Sequence, residues 1–270
     1  MSQFLKKRLA KVYHYIRRQY FTNFGLDKDL ILIYTMSKVG SSSVYYSLKK
    51  KYPYKEIHHI HFLGETWLDS FRQGHSVFNN NLKHADALFR LLGKKNWNIK
   101  IITLTRDPIA RNISGIFQTW QHIFDVVDIN DVTPEAIINQ LKREDFSYAQ
   151  NWFETDFLEF TGLDVFKQSF NAAKGFEIYS SPKAPVLIMQ LEQLNSVYNN
   201  AMSSFLGSGD YVLHQENLTA SKDSAVLNKT VKQLAKFPDT RLRTIYDTPY
   251  MHTFYNELQI DKLKLQWTEK

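Results

Sequence analysis

The chain contains no cysteine. Thiolate catalysis, cysteine-built zinc sites and disulfide staples are therefore excluded, and with them a secreted fold held by disulfides. Proline and glycine are scarce, at 7 and 10 of 270 residues, which argues against a disordered or fibrous chain. No apolar run reaches transmembrane length, and the first residues lack the continuous apolar core of a signal peptide. Internal repeats and low-complexity tracts are also missing. What is present is a hydrophobic content of 43%, with 19 Phe, 15 Tyr and 5 Trp, enough to bury a sizeable core. Lys and Arg outnumber Asp and Glu by 34 to 27, a net charge of +7. Such a balance suits an anionic partner, whether nucleotide, nucleic acid, acidic glycan or membrane surface, without choosing among them.

Residues 1–24 read as a basic amphipathic helix or arm. Leu5, Leu9, Val12, Ile16 and Tyr20 fall at helical spacing, with Lys6, Lys7, Arg8, Lys11, Arg17 and Arg18 around them. The stripe would pack on the body of the protein; the alternative is peripheral contact of residues 1–22 with an anionic membrane surface. Residues 25–270 then form a single α/β domain. Short apolar runs at 29–34, 55–61, 98–105 and 186–189 read as strands, and helical patterns follow at about 44–50, 81–95, 107–125 and 222–235. Near-continuous apolar strands alternating with helices predict a doubly wound parallel sheet, P-loop-like and flanked by helices, with helical additions in the C-terminal half.

In such sheets ligands bind outside the carboxyl ends of the strands. Two strands here end in basic loops. The first is Ser37-Lys38-Val39-Gly40-Ser41-Ser42-Ser43. Gly40 lets the backbone approach an anion, the amides of residues 40–43 would lie at a helix N-terminus, and Lys38 adds a full charge. It is not a Walker A motif, because the Lys precedes the Gly. The second is Arg106-Asp107-Pro108, with Ser114 eight residues after the Arg and inside the next helix. Arg106 could take a phosphate by bidentate contact and Ser114 could hydrogen-bond the same group.

Together the two loops resemble the donor site of the superfamily of sulfotransferases that use 3′-phosphoadenosine-5′-phosphosulfate (PAPS). That site has a Lys-x-Gly-[Ser/Thr]-[Ser/Thr] loop after the first strand and an Arg-[Asp/Asn]-Pro segment followed by Ser at the eighth position. Asn151-Trp-Phe-Glu-Thr-Asp-Phe157, Gly162-Leu-Asp-Val165, Val186 to Leu194, His214 to Lys222, and Ile245-Tyr246 with Phe254-Tyr255 are similar to the bacterial capsular-polysaccharide and carbohydrate branch. The resemblance spans about residues 29–258. It implies PAPS as donor, adenosine-3′,5′-bisphosphate (PAP) as product, a carbohydrate acceptor and no metal. Lys38 and Gly40 to Ser43 would hold the 5′-phosphosulfate, and Arg106 and Ser114 the 3′-phosphate. The Arg-Lys-Gly segment that closes over the 3′-phosphate in the small-phenol branch is missing, and Lys222 is the substitute considered for it.

The superfamily places a His or Glu near the end of its second strand as general base. Here the segment is Glu56-Ile-His58-His59-Ile-His61. Alternation puts His59 and His61 on one face, and His61 lies nearest the carboxyl end. His61 is the first candidate, His59 the second and Glu65 a third, since a neutral imidazole can accept a hydroxyl proton. Arg111, one turn before Ser114, either faces the donor or is a solvated charge. Trp120, Trp152 and Phe153 are read as core in a chain this aromatic, and Glu192 as a structural hydrogen-bonding partner. Two other classes compete: an ATP-dependent phosphotransferase of the nucleotide-kinase type, which would need Mg²⁺, and a non-catalytic protein binding nucleic acid or anionic lipid. The sulfotransferase reading needs no nucleic acid and places the protein in the cytoplasm, with membrane association through residues 1–22 as an option.

Overall fold

The computed structural model describes residues 28–74, 79–94, 96–215 and 222–269. The amphipathic segment 1–24 lies outside the described residues. The apolar runs at 29–34, 98–105 and 186–190 become β1 (Asp29–Tyr34), β3 (Asn98–Thr105) and β5 (Val186–Gln190). All three are buried at their carboxyl ends, and every residue of β5 is buried, as expected of strands covered on both faces. The second predicted strand becomes β2 (Glu56–Ile60) at one edge. It closes one residue before the predicted end, so His61 begins the turn that leaves the sheet. The reason is local: Thr35 N donates to Ile60 O as the last ladder bond, whereas the carbonyl of His61 accepts from the indole of Trp152.

The sheet order is β2-β1-β3-β5-β4. The first four strands of that order run parallel; the fifth, β4 (Phe176–Tyr179), is antiparallel to β5. This departs from the wholly parallel sheet that the sequence suggests. The six residues 180–185 between β4 and β5 are too few for a parallel crossover and dictate the hairpin. The result is a mixed, mostly parallel α/β sheet flanked by helices.

The helix after β1 is α1 (Ser41–Lys51). Helices α2 (Glu65–Gln73) and α3 (Asn79–Leu92) connect β2 to β3. From β3 the chain enters α4 (Pro108–Phe124), then α5 (Pro134–Arg143). Next come α6 (Tyr148–Trp152), a π turn at Phe153–Phe157 and α7 (Leu158–Thr161), one nearly continuous helical rod. After the β4–β5 hairpin follow α8 (Leu194–Leu206), α9 (Lys222–Leu234), α10 (Asp239–Tyr246), α11 (Pro249–Phe254) and α12 (Glu257–Trp267). No helix among the described residues is long and apolar enough to cross a membrane.

Because β1 lies between β2 and β3, the chain winds to one side after β1 and to the other after β2. The carboxyl ends of β1 and β3 therefore flank the point where winding reverses, where a doubly wound sheet opens a crevice. Both basic loops read from the sequence begin there.

Asp107 ties the C-terminal helices to this edge. It caps α4, accepting from Ala110 N at 2.8 Å, with Pro108 at the first helical position. The same buried carboxylate accepts from Tyr246 Oη at 2.5 Å and Trp267 Nε1 at 3.1 Å, residues of α10 and α12. Replacing it removes a cap worth ~1 kcal/mol and leaves two buried donors unsatisfied at ~1–3 kcal/mol each. Asp107→Ala is therefore expected to lower stability in urea unfolding by on the order of 3 kcal/mol. A loss below about 1 kcal/mol would show that these contacts do not hold the helices.

Candidate active site

The turn after β1 adopts a left-handed kink twice, at Lys38 (φ 69°) and Gly40 (φ 77°). At Gly40 a side chain would be strained by the left-handed φ, and a Cβ would lie 2.5 Å from Leu191 Cδ1, so that leucine would have to move. Gly40 caps α1 without a side-chain hydrogen bond, so the first amides of that helix carry no side-chain cap. Together the kink and the helix start place residues 40–43 at the N-terminus of α1.

Three cations converge on this turn. Arg106, the first residue beyond β3, donates from Nη1 to Lys38 O at 2.7 Å. Its backbone is clamped by Tyr250, whose hydroxyl accepts from Arg106 N and donates to Arg106 O, both at 2.9 Å. Arg111 reaches back from the first turn of α4: Nη2 donates to Ser37 Oγ at 3.2 Å and Nε to Ser37 O at 3.3 Å. Its guanidinium stacks on the Tyr148 ring at 3.7 Å. Arg111 thus lines the site, and the solvated alternative is set aside. Burial lowers the pKa of Lys38, and the Arg106 and Arg111 charges lower it further. Burial also lowers that of each arginine. Among the described residues none of the three forms a salt bridge. Desolvated like charges without a partner are costly, and a bound anion is the usual remedy.

The nearby carboxylates are otherwise engaged. Asp107 faces Tyr246 and Trp267, as above. Glu192 accepts from Asp107 N at 2.7 Å and Tyr255 Oη at 3.1 Å, the structural role read from the sequence. Glu65 is exposed and turned to Arg72, 3.3 Å away, so the structure does not bring it to the histidines.

His61 and His59 stand edge to face, ring centroids 4.9 Å apart. His61 Nδ1 lies 2.7 Å from Thr35 O. Only a protonated Nδ1 can donate to a carbonyl, so a neutral ring leaves Nε2 with a free lone pair. Burial lowers the His61 pKa; the Thr35 hydrogen bond opposes this and the Lys38 and Arg111 charges add to it, so the balance favours the neutral ring. His59 Nε2 is instead 2.8 Å from Ser41 Oγ, and Tyr45 packs against the ring. This nitrogen is committed, and so is the buried Ser41 hydroxyl. The geometry separates the two imidazoles: one keeps an open nitrogen, the other braces the loop.

Ser114 is half-buried on α4, one turn beyond Arg111. Ser42 and Ser43 lie on the first turn of α1. Lys222 opens α9, but its side chain lies outside the described residues. Burial lowers the pKa of a different α9 lysine, Lys232, and the Arg106 charge adds to it. Trp152 and Phe153 are buried in the core, and Trp152 also holds the His61 carbonyl. A cavity of about 340 Å³ opens beside the Arg106 turn, lined by Pro108, Phe146, Ser147, Gln150, Arg241 and Tyr250 among others. Among the described residues no group of His, Asp and Glu is arranged to hold a metal ion.

Burial, then the neighbouring His61 and His84, push the His59 pKa to about 3. The unfolded chain would protonate near 6.5, so this group's contribution to stability is present above pH 6.5 and lost as pH falls toward 3. One such group contributes a slope of up to about 1.4 kcal/mol per pH unit. Chemical denaturation at stepped pH is expected to show a flatter slope between pH 6 and 3 in His59→Gln than in the unmodified chain. Equal slopes would mean that His59 protonates in the folded state.

Residues 125–256 match the family model NKWYS, described as "Putative capsular polysaccharide synthesis protein". The match covers a little under half of the chain and points to a capsular-polysaccharide-related role. It takes in the helical rod, β5, Glu192 and the Tyr250 clamp, while Lys38, His61, Arg106 and Ser114 all precede it. No curated protein and no solved structure matches the chain.

Proposed function

We propose that the protein is a sulfotransferase that moves the sulfonate of PAPS to a hydroxyl of a carbohydrate. The observation that carries this reading is the convergence of Lys38, Arg106 and Arg111, in salt bridges with no carboxylate among the described residues, on the left-handed turn at the reversal point of the sheet. A donor with a 5′-phosphosulfate and a 3′-phosphate supplies anionic groups for both loops. The amides at the start of α1, with Ser42, Ser43 and Lys38, would hold the 5′-phosphate. Arg106 and Ser114 would hold the 3′-phosphate, which distinguishes PAPS from ATP. Ser41 would contribute mainly its amide, since His59 already engages its hydroxyl.

The chemistry follows the logic of in-line group transfer. The acceptor oxygen attacks sulfur, a new S–O bond forms, and the S–O bond to the 5′-phosphate breaks. His61 Nε2 takes the hydroxyl proton. Lys38 offsets the charge that develops on the departing phosphate oxygen, and PAP leaves. The carbohydrate acceptor is supported by the capsular-polysaccharide match over residues 125–256 and by the cavity beside Arg106, whose size is that of a small-ligand site.

Calorimetric titration with PAP, without divalent metal, tests the reading. Binding is expected to weaken at least ~30-fold when the 3′-phosphate is removed (5′-AMP) and by a similar factor in Arg106→Ala, each change costing about 2 kcal/mol of charge-assisted hydrogen bonding. An equal or stronger preference for Mg²⁺-ATP would overturn it in favour of a phosphotransferase.

A further inference from the structure

The sequence gives Asp156 no role, yet the fold buries it fully. It sits in the π turn Phe153–Phe157, an interruption of the helical rod of a kind that often marks functional sites. Its carboxylate meets the turn that follows His61. Oδ1 accepts from Gly64 N at 2.7 Å and Leu63 N at 3.2 Å, and Oδ2 from Tyr34 Oη at 2.5 Å. Tyr34 also donates to Asp156 O at 2.8 Å. The approach is close enough that a Cβ on Gly64 would lie 2.7 Å from Asp156 Cα.

The same rod holds the rest of this turn. Trp152 Nε1 donates to His61 O at 2.8 Å, Thr155 Oγ1 accepts from Trp67 Nε1 at 2.8 Å, and Glu159 accepts from Thr66 N at 3.0 Å. Asp156 is the member that grips both supports of the His61 ring. It holds the backbone two and three residues after His61, and it holds Tyr34, the neighbour of the Thr35 whose carbonyl receives His61 Nδ1–H.

We propose that Asp156 is a positioning residue for His61: it fixes the backbone on both sides of the imidazole, and so keeps the Nδ1–H tautomer with Nε2 unprotonated. The proposal rests on the reading of His61 as the base and gives Asp156 no contact with donor or acceptor. Burial raises the Asp156 pKa to about 7, against the hydrogen bonds from Tyr34, Gly64 and Leu63 and with Glu159 adding to it. The titratable and charged groups around the pair are Tyr34, Tyr148, Glu159, Lys38, Arg111, His59 and His84. Protonation would remove the negative charge that strengthens the amide contacts, so the hold on His61 would loosen as pH falls through 7.

Imidazole ¹H–¹⁵N correlation spectra test this directly. The chain has 9 His, and His61→Gln assigns the signal. The unmodified protein at pH 8 is expected to show His61 as a fixed Nδ1–H tautomer, with a shift in its Nε2 signal centred near pH 7. Asp156→Ala is expected to average the two tautomers, with PAP affinity changed less than two-fold. Asp156→Asn keeps the shape without the charge. It is expected to hold the His61 signal at its low-pH, loosened position at every pH and so abolish the pH 7 step, which keeps the test decisive if Asp156→Ala fails to fold. An unchanged His61 signal in folded Asp156→Ala, or a surviving pH 7 step in Asp156→Asn, overturns the proposal. Loss of PAP binding in the unmodified protein overturns the sulfotransferase reading instead, and an Nε2–H tautomer there overturns His61 as the base.

Discussion

Clustered positive charge that forms no salt bridge among the described residues, at the reversal point of the sheet, is the constraint around which this molecule is arranged. Arg106, Arg111 and Lys38 are drawn together by the backbone oxygens of residues 37 and 38, not by carboxylates. Burial works against all three charges. Such a cluster is held only if the surrounding structure fixes it firmly, and the supports are visible: the Tyr250 clamp on the Arg106 backbone, the Tyr148 ring under Arg111, and the left-handed turn that presents Lys38 O.

Nearby acids supply much of that support, and their carboxylates point elsewhere. Asp107 caps α4 and holds Tyr246 and Trp267, Glu192 holds the Asp107 amide and Tyr255, and Asp156 holds the turn after β2. Each acid satisfies backbone amides or buried hydroxyls. The acids thus rigidify the edge while the cations remain available to an anion. The C-terminal half, which carries the capsular-polysaccharide match, supplies the clamps; the N-terminal half supplies the cations and the imidazoles.

The positions of the two basic loops were legible because their physics is local. Lys38, Gly40 and Arg106 follow apolar strands directly, and a run such as Leu30 to Tyr34 announces its strand without help. Asp107 could be seen as a cap before Pro108, but not as the anchor of helices more than 130 residues away. Asp156 was invisible for a related reason. It becomes an inward-facing carboxylate only because the rod takes one π turn, and no periodicity in Asn151 to Phe157 signals that. Arg111 was ambiguous until Tyr148 appeared beneath it. β4 was missed because four residues, Phe176 to Tyr179, carry too little pattern, and its antiparallel direction comes from the length of the following turn. His59 and His61 looked equivalent by alternation; a hydrogen bond to Ser41 and one to Thr35 O distinguish them.

The most direct test of the anion-site account is a crystal structure of the protein with PAP. The account predicts the 5′-phosphate against the amides of residues 40–43 and Lys38, and the 3′-phosphate against Arg106 and Ser114. A nucleotide with its 3′-phosphate in solvent, or one bound away from the Lys38 turn, would contradict it.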